Sequence, residues 1–131
     1  MFRNNQGRKI EMFINISNHP LEKWKGKQLE EAQKYGELHE MSFPYIEPEW
    51  DSEKLSSLAK EYVEKVRALL PIPNAQSAIH LVGEPVFVFK LTRLLLAEGY
   101  AVVASTTHRR VEENGNEKIV FFDFIRFRSY E

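Results

Sequence analysis

Ser105, Thr106, Thr107, His108, Arg109 and Arg110 stand in one unbroken run, joining three hydroxyls, an imidazole and two guanidiniums. Guanidinium forks pair with phosphate oxygens and hydroxyls donate to them, so the run suits recognition of a phosphodiester. Ser17, Asn18 and His19 form a second polar group, and Gly83 with Glu84 a third. Each has a plainer role beside the chemical one. Ser17 and Asn18 have the side chains that cap helices, and His19 fits an ordinary surface loop. Gly83 suits a tight turn, and Glu84 an acid at the start of a helix, where the dipole favours it. The hydroxyls at 105 to 107 suit a strand, and Arg109 with Arg110 a solvated hairpin face. Arg126 and Arg128 flank Phe127 in the alternation of a strand with one covered and one wet face.

Composition removes several other chemistries. The chain has no cysteine, which excludes disulfides, thiolate catalysis and cysteine-held metal clusters. His19, His80, His108 and Glu84 could in principle meet around a metal, but no histidine has local ligand spacing, so neither metal nor cofactor is expected. There is no GxxxxGK[ST] loop, GxGxxG fingerprint or GxSxG elbow. Eighteen basic and 19 acidic side chains give a net charge of −1, which provides no global field for a long nucleic-acid duplex or an anionic membrane. The apolar runs, such as 94–96 and 119–122, fall far short of the roughly 20 residues of a membrane span. The opening MFRNNQGRKIE holds no signal core, and a cytoplasmic location is the default expectation.

The elements that must position these groups follow from periodicity. With 131 residues, 43% of them hydrophobic, the chain can bury one core. Residues 1–11 are expected to be a flexible N-terminal extension and residues 12–131 one domain. MFINIS predicts a first strand over 12–17. Leu21, Trp24, Gln28, Ala32 and Tyr35 recur at helical spacing, with Asn18 as the expected cap and Gly36 as the exit. His39 to Ile46 suggests a second strand that Pro44 confines to a short piece or an edge. Asp51 is the expected cap of a helix whose apolar stripe is Leu55, Leu58, Ala59, Tyr62, Val63, Val66 and Leu70, stopped by Pro71. A third strand over 78–82 leads into a largely covered helix over 85–98, with Phe87, Leu91, Leu94 and Leu95 on its most buried face. A fourth strand runs from Tyr100 to about Glu112, and Asn114-Gly115 signals a hairpin to a fifth over 118–130. The order βαβαβαββ predicts an α/β fold: a single Rossmann-like domain with a mainly parallel sheet, helices on both faces and a C-terminal β-hairpin. Ligands of such a sheet bind at the carboxyl ends of its strands, where the three polar groups fall.

The stretches FINISNHP, HLVGEPVFVFKLTRLLLAEGY and VVASTTHRRV...FFDFIRFRSY resemble the small CRISPR-associated accessory proteins of type III systems, single-domain relatives of the CARF sensors, over Met12 to Tyr130. That resemblance implies a homodimer that binds a cyclic oligoadenylate messenger in antiviral defence and degrades it as a metal-independent ring nuclease. In the implied mechanism the adenosine 2′-hydroxyl attacks the adjacent phosphorus and leaves a cyclic 2′,3′-phosphate, so positioning and charge stabilisation supply much of the catalysis. Arg109 or Arg110 would stabilise the developing charge, and His19 or Glu84 would move a proton. Ser17, Asn18, Gly83 and Ser105, Thr106, Thr107 and His108 would bind the ligand.

Two other functions fit the same residues. One is a sensor or sponge that binds a nucleotide without turnover. The other is an adaptor that dimerises through its aromatic last strand, with the arginines expendable.

Overall fold

The computed structural model describes residues 10–131. Among these residues five strands form one sheet in the order β2-β1-β3-β4-β5: β1 (Met12–Ser17), β2 (Glu37–Glu40), β3 (Ala78–Val82), β4 (Val102–Asn114) and β5 (Glu117–Ser129). β1 to β4 are parallel, and β5 returns antiparallel to β4. Helix α1 (Gly26–Gln33) links β1 to β2, α2 (Ser52–Leu69) links β2 to β3, and α3 (Pro85–Ala97) links β3 to β4. The fold is α/β in a single domain, as the alternation predicts.

All six residues of β1 are buried, because the strand is covered on both faces. Met12, Ile14 and Ile16 pack with Ile79, Leu81 and Val102 beneath α2 and α3. Phe13 packs on the other side with Ala78, Val103, Trp24 and Ala32 beneath α1. Each large apolar side chain buried this fully stabilises the fold by about 1.5–3 kcal/mol. The Asp51 carboxylate accepts the Lys54 N–H at 2.9 Å and caps α2, whose Leu55, Ala59, Tyr62, Val63 and Val66 form the buried stripe.

The first helix departs from its expected start. Leu21–Lys23 form a separate 3₁₀ turn, and α1 begins only at Gly26, with Lys25 and not Asn18 at its N-cap. Trp24 causes the break: its backbone is extended, its indole Nε1–H donates to the His19 carbonyl at 2.9 Å, and its ring is buried against Phe13. Gly26, at φ 61°, then redirects the chain into the helix. The apolar spacing marked the residues that face the sheet without marking the interruption between them.

The second strand is also displaced, to Glu37–Glu40. It starts as soon as Gly36 passes Glu11, where a Cβ would lie 2.2 Å from the Glu11 carbonyl oxygen, and the Glu37 N–H bonds that same oxygen. Ile10 and Glu11 therefore belong to the fold, and the remainder of the expected extension lies outside the described residues. Beyond Glu40, Met41, Phe43 and Ile46 fold over the α2/α3 core as a loop, and their apolar pattern reflects that packing.

α3 is less enclosed than its composition suggests. Phe87, Leu91 and Leu95 are buried, Leu94 is half-buried, and Val86 and Phe89 are exposed. The final hairpin turns at Gly115-Asn116, one residue later than the Asn114-Gly115 signal. Gly115 takes φ 69° and Asn116 a negative φ, the arrangement of a type II′ turn. β4 pairs with β3 only through Val102 and Val103, so from Thr107 onward β4 and β5 form a two-stranded arm that extends about 24 Å beyond the sheet.

Candidate active site at the carboxyl edge of the sheet

Period-two alternation places Asn15 and Ser17 of β1, His80 of β3 and Ser105 of β4 on the α1 side of the sheet, among Phe13, Trp24 and Phe127. Asn15 and His80 are direct cross-strand partners, and His80 Nδ1 lies 2.8 Å from Asn15 Oδ1. An amide oxygen only accepts, so Nδ1 carries the hydrogen and Nε2 of the neutral ring is the acceptor. Ser105 Oγ, 2.7 Å from Nε2, donates to it. Gln28 of α1 donates from Nε2 to Ser105 Oγ at 3.1 Å.

The other end of the chain of bonds is equally saturated. Asn15 Nδ2 donates to the Glu40 carboxylate at 3.1 Å and to the His19 carbonyl at 3.0 Å. Ser17 Oγ donates to Asn15 Oδ1 at 2.8 Å and accepts the His19 N–H at 3.2 Å. Asn15, Ser17 and His80 are buried, and Ser105 is half-buried. Phe13 stacks on the His80 ring at 5.8 Å between centroids, while Trp24 at 5.0 Å and Phe127 at 5.6 Å approach it edgewise. Burial in this aromatic surround, with a smaller contribution from His19, pushes the His80 pKa down to about 4. The ring is thus neutral at physiological pH, with its basic nitrogen directed at a serine hydroxyl.

The groups expected from the sequence are only partly brought together. Ser17 lies inside the network, and the His19 ring stacks on Trp24 at 6.2 Å. Asn18 and Glu84 line a crevice of about 420 Å³ with Phe43, Pro44, Tyr45 and Ile46, between the carboxyl ends of β1 and β3, where the connections diverge to opposite sides. Gly83 lies under the Phe43 ring, and Glu84 caps α3 by accepting the Val86 and Phe87 N–H groups at 3.1 and 2.7 Å. Its carboxylate fills that helix N-terminus with negative charge, which disfavours an anion there.

Along β4, Ser105, Thr107 and Arg109 share the α1 side, and Thr106, His108 and Arg110 share the other. The two arginines therefore project to opposite faces. Arg110 is engaged within the arm: it bonds Asp123 at 3.0 Å, pairs with Glu112 and lies 4.3 Å from the Phe121 ring centroid. The Arg109 guanidinium has no hydrogen bond or ion pair among the described residues, and its cross-strand partner Phe122 is 65% exposed. Thr106 is committed to the bulge, donating to the Arg126 carbonyl at 3.0 Å and accepting its N–H at 3.2 Å.

Asn15, Gln28 and Glu40 were not among the expected site residues, and His80 was weighed only as a metal ligand. The signal for two of them was present: polar residues at 15 and 17 alternate with Ile14 and Ile16, and His80 sits between Ile79 and Leu81 in an apolar strand. No group of three or more His, Asp or Glu side chains among the described residues could hold a metal ion.

Comparison with curated proteins and with solved structures finds no match for the chain. A family model does match, over residues 11–128, a span that runs from the residue before β1 almost to the end of β5. On that coverage the chain belongs to the Uncharacterized protein MJ1673 family.

Proposed function

We propose that this protein binds a cyclic oligoadenylate on the α1 side of the carboxyl edge and opens it without a metal, as a single-domain ring nuclease of type III CRISPR defence acting in the cytoplasm. The supporting observation is the row Ser105, Thr107 and Arg109, which faces one way beside Phe127, Phe124 and Phe122 of β5. Same-face residues of a strand recur about every 7 Å, so the row spans about 14 Å. It offers hydroxyls and an uncommitted guanidinium to successive phosphates, and rings on which bases stack. Lys23, Lys25 and Lys27, all exposed around the entry to α1, add positive charge to the same side.

In this reading the ligand's 2′-hydroxyl attacks the adjacent phosphorus, Ser105 and Thr107 hold the phosphate, and Arg109 stabilises its developing charge. His19 moves the proton. Glu84 and Arg110 have less part, because each is already bonded within the protein.

A homodimer belongs to the same proposal. The arm exposes Val111, Ile119, Val120, Phe122 and Ile125, and a two-stranded ribbon is marginally stable alone, so a second copy laid on it would cover apolar surface. The same exposed residues favour the adaptor as the second reading.

The test is incubation of the purified protein with labelled cyclic tri-, tetra- and hexa-adenylate, with and without chelator, followed by chromatography of the products and light scattering of the protein. Linear products ending in a cyclic 2′,3′-phosphate, formed equally with chelator by a dimer, are expected. Binding without products would leave the sensor reading, and neither binding nor products the adaptor.

A further inference from the structure

Ser105, His80 and Asn15 stand in the order nucleophile, base and orienting group, with heavy-atom separations of 2.7 and 2.8 Å. The bond to Asn15 fixes the hydrogen on Nδ1, and that leaves Nε2 free to take the serine proton. The same roles operate elsewhere with an amide as the third member, since orientation of the imidazole requires an acceptor and not a charge. Gln28 adds a donor at the nucleophile: its Nε2–H lies 3.1 Å from Ser105 Oγ.

The geometry points to Ser105 as an activated nucleophile for electrophilic phosphoryl esters, with His80 as its base, Gln28 as a donor to its hydroxyl and Asn15 as a positioning residue. This goes beyond ring opening, in which the ligand's own hydroxyl attacks and Ser105 only holds a phosphate. As Ser105 Oγ bonds to phosphorus, its proton passes to His80 Nε2. The bond from phosphorus to the leaving oxygen breaks, and that oxygen takes the proton from Nε2. Water then gives a proton to Nε2 and bonds to phosphorus, the Oγ–phosphorus bond breaks, and Oγ recovers the proton. No metal or redox partner enters the balance. The half-buried position of Ser105, beside buried His80 and Asn15 and half-buried Gln28, gives the reaction an open end and a dry interior.

The test is covalent labelling with a fluorophosphonate, in which fluoride is the leaving group, read by intact mass and peptide mapping. One adduct per chain on Ser105 is expected, absent in Ser105→Ala and formed on the order of 100-fold more slowly in His80→Gln. An unlabelled Ser105 in folded protein, or an equal rate in folded His80→Gln, overturns the assignment. Should His80→Gln fail to fold, the rate against pH in the wild type decides. A rate that is level at neutrality and falls only as the His80 ring protonates supports the relay, and a rate with no such fall overturns it. Failure of the cyclic oligoadenylate reading would show in the product chromatograms and leave the labelling unchanged.

Discussion

Asn15 and His80 are register partners of β1 and β3, and the 2.8 Å bond between their side chains decides which nitrogen of a buried imidazole carries its hydrogen. The pairing is a consequence of sheet order. β2 lies on the far side of β1, so β1 and β3 are neighbours although 60 residues of loop, helix and strand separate them. A polar residue at the fourth position of β1 thus meets a polar residue at the third position of β3. Without Asn15 the His80 Nδ1–H would be left unsatisfied in that interior, at a cost of about 1–3 kcal/mol.

A buried neutral ring makes stability depend on pH in a definite direction. The His80 pKa falls from 6.5 to about 4 on folding, so between those values the unfolded chain binds the extra proton. Its contribution is complete above pH 6.5 and is lost as pH falls towards 4. At about 1.4 kcal/mol per pH unit the whole loss is about 3 kcal/mol. The titratable neighbour acting on the ring is His19, whose electrostatic contribution lowers the His80 pKa further, after burial. Denaturant unfolding at pH 7 and pH 5 should show a larger drop for the wild type than for His80→Gln, by about 2 kcal/mol. Equal drops would count against a neutral buried ring.

Where sequence reading succeeded and where it stopped have physical causes. β1, α2, β3 and α3 were legible because their signals are local: an apolar run, a carboxylate cap, a proline at the first helical turn. Trp24 was not, because a residue at the correct helical spacing can be buried equally well from extended backbone once its indole finds the His19 carbonyl. Phe43 and Ile46 imitated a strand because a loop laid over a core has strand-like composition. The carboxyl edge was located correctly, since that follows from the topology. The directions of its side chains were not legible: the run from 105 to 110 reads as one polar stretch, whereas a strand divides it between two faces. Ser105 was thereby grouped with Arg110 on the opposite face, and separated from His80, 25 residues earlier.

Gly83 tests the crevice between β1 and β3. Its φ lies outside the left-handed region, so the requirement for glycine is one of space: a Cβ would come within 2.2 Å of Phe43 Cζ. Gly83→Ala should therefore destabilise the protein by about 1–3 kcal/mol through overpacking. Phe43 also packs edge to face on Phe87, at 5.4 Å between centroids, so it cannot withdraw freely. In Phe43→Leu the alanine should cost much less, and a double-mutant cycle by denaturant unfolding will show a favourable coupling between the two changes. A cycle with no coupling would mean that the contact does not limit position 83.

Arg109 and Arg110, adjacent in sequence, should behave differently in ligand binding. Arg109 lies on the α1 side with Ser105 and Thr107 and has no ion pair among the described residues, whereas Arg110 faces the other way and is bonded to Asp123 and Glu112. A charge-assisted hydrogen bond contributes about 1.5–3 kcal/mol, so Arg109→Ala should weaken cyclic oligoadenylate binding roughly 10- to 150-fold. Arg110→Ala should leave the affinity nearly unchanged. Arg128→Ala should do the same, because Arg128 pairs with Ala104, which alternates onto the face away from Ser105. Calorimetric titration of the three variants, each with its melting curve, separates the outcomes. A greater loss in Arg110→Ala at unchanged melting would place the ligand on the opposite face of the arm. No loss in any variant that binds as the wild type does would remove the guanidinium from recognition and leave the hydroxyls of Ser105 and Thr107 to carry it.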